Sequence, residues 1–320
     1  MNLEQFKQEN IIIIYHAHCL DGFGAAYAVR ECLGEGPNIE YYAGSYQGEI
    51  PKVKDKHVIC VDFSYKPEAA LKMLEDGAES VLILDHHKSA MLQFEKYPNE
   101  IIEALDNDTT VENWLDVVCF VSNFKKIYHL FNINHSGAVI AWKFFNPDKK
   151  SPTLISYIED RDLWKFCIGM TKEVTAALYS YEMDFKVWDN LFKVKPLSDL
   201  INEGMALMRS QRKNVEMLVK YNTRMIDICG RKVPSVNCPP MFASDVGNEL
   251  AKNAPFSATW YDQSNARNYS LRSSADNPEH VDVSEIAQQF GGGGHKHAAG
   301  FKLPLNDSYS PLTPHDLTGE

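Results

Sequence analysis

At 320 residues, 44% of them hydrophobic, the chain is long enough for two domains of ordinary size, each with a buried core. Its 43 acidic against 32 basic residues give a formal charge of −11. That charge argues against a basic track for long nucleic acid and suits a protein that offers carboxylates to divalent cations.

No apolar run approaches the ~18 residues of a membrane span, and Ile11–Ile14 is too short for the core of a secretory leader. The seven cysteines are odd in number and form no C-x-x-C pair. A disulfide framework and a thiolate zinc site are therefore both disfavoured, and a cytoplasmic protein with reduced thiols is expected.

The first half alternates strands and helices. Ile11–Tyr15, Ile39–Tyr42, His57–Ser64 and Ser80–Leu84 read as strands. Gly24–Cys32 reads as a helix, and another starts at Pro67 and stops at Gly77. This rhythm predicts an α/β fold whose N-terminal domain is a doubly wound, mainly parallel sheet. Helices dominate from Ser136 to about Asn190. Residues 1–195 form the expected catalytic domain and 196–221 a helical connector. Residues 222–305 form a smaller α/β domain, and 306–320 a polar tail with Pro311 and Pro314.

In that second domain Arg224–Cys229 and Lys232–Val236 read as strands around Gly230-Arg231, and Ser244–Asn253 as a helix. Phe256–Tyr261 and Tyr269–Arg272 read as a hairpin, and Asp282–Phe290 as a helix.

Polar groups collect where three of the first strands end. The first strand runs into His16, His18 and Asp21, the third reaches Asp62, and the fourth reaches Asp85-His86-His87. Ligands of open parallel sheets bind at those carboxyl ends. Carboxylate with imidazole is a ligand set for manganese, iron or zinc. An aspartate ending a buried apolar strand is costly unless it is paired or binds an ion. A fourth acidic group is Glu159-Asp160-Arg161-Asp162. A fifth element is Gly291-Gly292-Gly293-Gly294-His295-Lys296-His297, whose successive backbone N–H groups would make an anion cradle. Arg272-Ser273 is a further phosphate-binding candidate.

Taken in order, IIIIYHAHCLDGFGAA, VDFS, LDHH, HSGAVIAW, IEDRDLW, YSLRSS and FGGGGHKHAAGF resemble the DHH phosphoesterases that carry the DHH-associated C-terminal domain. That superfamily includes RecJ-like single-strand exonucleases, nano-RNases acting on very short RNA, and cyclic-dinucleotide phosphodiesterases. The resemblance implies one or two divalent metal ions, manganese above all, held by His16, Asp21, Asp62, His86 and Asp160, with Asp62 bridging. It implies that Asp85 supports the site and that His87 faces the scissile phosphate. It further implies that Arg272, Ser273, Gly291, Gly292, Gly293, Gly294 and His295 hold the substrate's far end, with the substrate lying between the domains. The family's second aspartate of the Asp-Gly-Asp pattern is Phe23 here, and His18 stands nearer the usual histidine spacing than His16.

The expected activity is hydrolysis of linear dinucleotides or short oligonucleotides to mononucleotides, as in an oligoribonuclease. The alternatives are a single-strand exonuclease, a cyclic-dinucleotide phosphodiesterase, a nucleotide-bisphosphate phosphatase, or a nucleotide sensor with a degenerate site. The expected partner is a nucleotide or short single strand, not a membrane; a homodimer is left open.

Overall fold

The computed structural model describes residues 1–45, 48–97, 100–120, 126–263 and 265–305, with backbone only for 117–120. The expected tail lies outside the described residues. Two compact units divide the chain at Leu207/Met208.

Unit 1 is built on a sheet of six strands: β1 (Ile11–His16), β2 (Ile39–Gly44), β3 (His57–Val61), β4 (Ser80–Asp85), β5 (Ile102–Ala104) and β6 (Ile127–Phe131). Their order is β2-β1-β3-β4-β6-β5, and every neighbouring pair is parallel. The helices are α1 (Leu3–Phe6), α2 (Leu20–Leu33), α3 (Pro67–Glu75), α4 (Lys88–Glu95), α5 (Val111–Phe120), α6 (Gly137–Phe145), α7 (Thr153–Asp162), α8 (Thr171–Ser180) and α9 (Phe185–Lys193).

Alternate residues of the central strands feed two separate cores. Ile11, Ile13, Ile59, Val61, Leu82 and Leu84 join α2, α6 and α7 on one face. Ile12, Ile14, Val58, Cys60, Val81 and Ile83 join α3 on the other. A strand buried on both faces must be apolar throughout, so these strands are continuous hydrophobic runs. Each fully buried Ile or Leu contributes about 1.5–3 kcal/mol. That gain holds the strand ends rigidly enough to carry unfavourable polar groups.

Helix α10 (Leu197–Asn222) is one continuous helix running through the division of the chain. Its start places Leu200 in the unit 1 core. Its later turns place Val215 with Val236, Cys238, Val246 and Leu250.

Unit 2 contains β7 (Arg224–Ile228), β8 (Arg231–Asn237), α11 (Ala243–Ala251), β9 (Ser257–Gln263), β10 (Ala266–Arg272), α12 (Val283–Gln289), β11 (Gly293–His295) and β12 (Ala298–Pro304). Its sheet runs β11-β12-β10-β9-β8-β7, parallel between β8 and β9 and antiparallel elsewhere. The expected turn between β7 and β8 has positive φ at Cys229 and Gly230, the backbone of a tight hairpin. No helix among the described residues is long and apolar enough to cross a membrane.

One contact within unit 1 tests this packing. A Cβ at Gly204 would sit 1.8 Å from the backbone oxygen of Glu173, so α10 rests directly on α8. Backbone cannot rotate aside as a side chain does. Gly204→Ala is expected to cost at least the ~1–3 kcal/mol of ordinary overpacking. It should lower Tm by several degrees in a thermal melt; an unchanged Tm would show that α10 is free to slide.

Candidate metal centre

Asp62 follows the last residue of β3, and its carboxylate is 1% exposed. Its backbone turns left-handed there, at φ 52°, while its N–H still bonds to Leu84 in β4. Aspartate tolerates that conformation better than most residues. Around it stand groups from two other strand ends. His16 Nδ1, from β1, lies 3.7 Å from one Asp62 oxygen, and His86 Nε2, just after β4, lies 3.1 Å from the other. His86 Nε2 also lies 3.7 Å from Asp21 and 3.5 Å from Asp162. The donor atoms of His16, Cys19 and Asp62 form one close group, those of Asp21, His86 and Asp162 a second, and those of Asp62, Asp85, His86 and His87 a third.

The fourth strand end supports the site. Asp85 is fully buried and accepts from the Ser64 hydroxyl and from the N–H groups of His86 and His87. Its Oδ1 also lies 2.7 Å from His87 Nδ1. That contact fixes the His87 ring. Asp21 reaches across to another helix. Its two oxygens accept the N–H groups of Gly137 and Ala138, at 2.6 and 3.0 Å, and so cap α6. Gly137 is required at that spot, because a Cβ there would lie 2.4 Å from the Cβ of Asp62.

The electrostatics are lopsided. Asp21, Asp62 and Asp162 crowd one mostly buried volume. Burial, then the Asp62 and Asp162 charges, pushes the Asp21 pKa well above the usual carboxylate range. Burial, with Asp62 adding to it, also raises Asp162. Burial likewise opposes the charge on Asp62, yet the flanking histidines hold its pKa at about 2. Burial opposes the charge on His86 too, but Asp62, Asp21 and Asp162 lift its pKa to about 9. The Cys19 thiol is pushed up by burial and then by Asp62 and Asp21, so it stays neutral.

These groups fit a divalent cation. Asp62 Oδ1 is buried and makes no hydrogen bond, although His86 Nε2 is close by. Asp62 Oδ1 and His86 Nε2, 3.1 Å apart, stand side by side as two ligands of a common ion would. The excess of buried carboxylate supplies the charge that an ion would neutralise.

The structure therefore brings together His16, Asp21, Asp62, Asp85, His86 and His87, but not Asp160. The Asp160 carboxylate instead accepts from Cys167 N, Ile168 N and the Thr171 hydroxyl, at 2.7, 3.1 and 2.5 Å. Two residues along a helix turn the side chain by about 200°, so only one of Asp160 and Asp162 can face the site, and Asp162 does. Of the two histidines near β1, His16 joins the cluster. Phe23, where a second aspartate was expected, is buried against Phe185 and Trp188 and is part of the core.

In unit 2 the glycine run does something other than cradle an anion over its first half. Gly291 N bonds to Gln288 O and Gly292 N to Ala287 O, closing α12 with a left-handed residue at Gly291. Gly293, Gly294 and His295 pair with β12. Ser273 Oγ lies 3.0 Å from His297 Nδ1. Arg272 bonds to the Ser244 hydroxyl and the Leu271 carbonyl, and it makes no ion pair among the described residues. Burial lowers its pKa from the ordinary guanidinium value.

No protein-family model matches the chain. It is 30% identical over 316 residues to uncharacterized protein R106 of Acanthamoeba polyphaga mimivirus, covering 92% of this chain and 68% of the viral one. Among solved structures it is similar to the DHH domain of a protein described as a member of a family of ribosomal proteins. That likeness has a TM-score of 0.54 at 13% identity and covers 92% of this chain and 83% of the other. The chain belongs to one family with R106, and its fold is similar to that of the DHH domain. A pGpG-specific phosphodiesterase, PggH of Vibrio cholerae, aligns over 93% of the chain and 95% of its own length, with a TM-score of 0.48 and 12% identity.

Within unit 1, Asp160 and Asp162 make opposite predictions. Asp162→Asn is expected to weaken manganese binding by calorimetry while leaving the fold intact. Asp160→Ala leaves three donors without their charged acceptor, a loss of about 2–3 kcal/mol, and should lower Tm with manganese binding retained. The reverse pattern would return Asp160 to the ligand set.

Proposed function

We propose that the chain is a divalent-metal-dependent phosphoesterase that hydrolyses the phosphodiester of a dinucleotide or short oligonucleotide. The observation that carries the reading is the buried, unsatisfied oxygen of Asp62 among ligand-type groups from three strand ends. A degenerate sensor would have no reason to keep three carboxylates crowded in a buried volume, where each raises the cost of the others.

In this reading His16, Asp21, Asp62, His86 and Asp162 would hold the metal, with Asp62 a member of two of the close groups. Bound divalent ions supply an acidified water and offset charge on the phosphate. His87 is the catalytic donor. Burial opposes its charge, but Asp85 and Asp62 raise its pKa above the ordinary histidine value, which favours the form that donates to a phosphoryl or leaving oxygen. Asp85 is a positioning residue that sets the His87 ring. Within unit 2, Arg272, Ser273 and His295 are the proposed anion-binding groups, with Gly293 and Gly294 beside them. Manganese is the proposed ion, because the set mixes imidazole with carboxylate and has no ionised thiolate. The charge of −11 supports a short substrate over a polymer.

The test is an assay of 5′-phosphorylated strands of increasing length with manganese. We expect kcat/KM to fall beyond a few nucleotides; values that hold or rise with length would favour a polymer exonuclease. Outer partners of a metal site typically contribute 10–100-fold. Asp85→Asn should lose activity in about that range, and Asp62→Asn should lose more than about 100-fold. Equal modest losses would show that Asp62 is no ligand.

A further inference from the structure

The loop between α7 and α8 carries three non-glycine residues with left-handed backbone, Trp164 (φ 55°), Phe166 (φ 48°) and Met170 (φ 67°). Such residues are uncommon, and a cluster of them needs a cause that holds it. Asp160 is that cause. Its carboxylate takes the N–H groups of Cys167 and Ile168 and the Thr171 hydroxyl, and its backbone oxygen takes those of Lys165 and Phe166. The whole loop is thus folded around one buried aspartate.

The product of this arrangement is an exposed indole. Trp164 is 64% exposed, and its ring meets that of Phe166 at 75°, with centroids 4.9 Å apart. The Arg161 guanidinium lies 5.8 Å from the Trp164 ring centre and 5.7 Å from that of Tyr179, within reach of both π faces. Trp164, Arg161 and Tyr179 line a cavity of about 200 Å³ together with Ile158, Asp21 and Asp162. The lining thus combines two aromatic rings, an apolar side chain and a guanidinium with two residues of the carboxylate cluster. The volume is below the ~300–1,000 Å³ of sites for drug-sized ligands, which suits one planar ring system.

We propose that this cavity binds the nucleobase of the nucleotide whose phosphate lies at the carboxylate cluster, with Trp164 as the stacking surface and Asp160 as the residue that positions it. The inference rests on the phosphoesterase reading for its phosphate, and on the cavity alone for its base. Stacking on an exposed aromatic is tolerant of base identity, because every base has a π face. The pocket should accordingly distinguish a nucleotide from a base-free sugar phosphate more sharply than it distinguishes one base from another.

The test compares adenosine 5′-monophosphate with ribose 5-phosphate by calorimetry, on the full chain with magnesium. The two probes share sugar and phosphate and differ in the base. The nucleotide should bind roughly tenfold or more tightly than the sugar phosphate, an amount typical of one stacked base. Trp164→Ala should erase that difference while leaving ribose 5-phosphate unchanged, and Trp164→Phe should retain most of it. Equal affinity of the two probes for the unsubstituted chain would overturn the proposal, as would an equal loss for both in Trp164→Ala. Base discrimination without any dinucleotide hydrolysis would sink the hydrolase reading and leave the pocket standing. Hydrolysis without base discrimination would do the opposite.

Discussion

A carboxylate taken out of water at the end of an apolar strand is the constraint around which unit 1 is organised. Asp62 is 1% exposed, and one of its oxygens has no hydrogen-bond partner. An isolated charge in such a place costs several kcal/mol, which no single imidazole offsets. The surroundings are shaped to keep it there nonetheless. The strands on both sides of β3 are buried on two faces, and their apolar packing fixes where β3 ends. Gly137 lets α6 come up against the Asp62 side chain, where any Cβ would collide. His16 and His86 close in from β1 and β4.

The neighbouring carboxylates follow from the same geometry, and each has a different task. Asp21 caps the start of α6, so it ties the helix after β6 to the helix after β1. Asp85 commits its acceptors to Ser64, to two backbone N–H groups and to His87, and so orients a donor. Asp162 faces His86 from the last turn of α7. Negative charge exceeds what the histidines can balance, and burial, with that excess adding to it, raises the pKa values of Asp21 and Asp162. A divalent cation would resolve the imbalance with the atoms already present.

Most of this was legible in the sequence, for physical reasons. Four consecutive isoleucines and the runs HVICV and SVLIL are short and rich in β-branched residues, as strands buried on both faces are, and a strand's carboxyl end is where a parallel sheet keeps its ligands. What was illegible had equally definite causes. Strand β5 has only three residues, too few for any period, and His129 interrupts the apolar run of β6. Asp160 and Asp162 are both acidic and lie two residues apart. Choosing between them requires the phase of α7, which Ile158 supplies: four residues before Asp162, it lines the same cavity. The glycine run suggested open backbone N–H groups. The helix Asp282–Phe290 was expected to end there, but its closing was not expected to occupy two of those N–H groups. Spacing alone did not separate His16 from His18; the continuation of β1 through His16 does, since it carries that ring to the edge of the site.

The atoms around Asp62 are the proposed ligands of a metal ion. Crystals soaked with manganese and measured near the manganese absorption edge test that assignment directly. An anomalous peak is expected within bonding distance of both Asp62 and His86, lost in Asp62→Asn crystals. An anomalous map with no peak at Asp62, or with manganese bound only elsewhere on the surface, would contradict it.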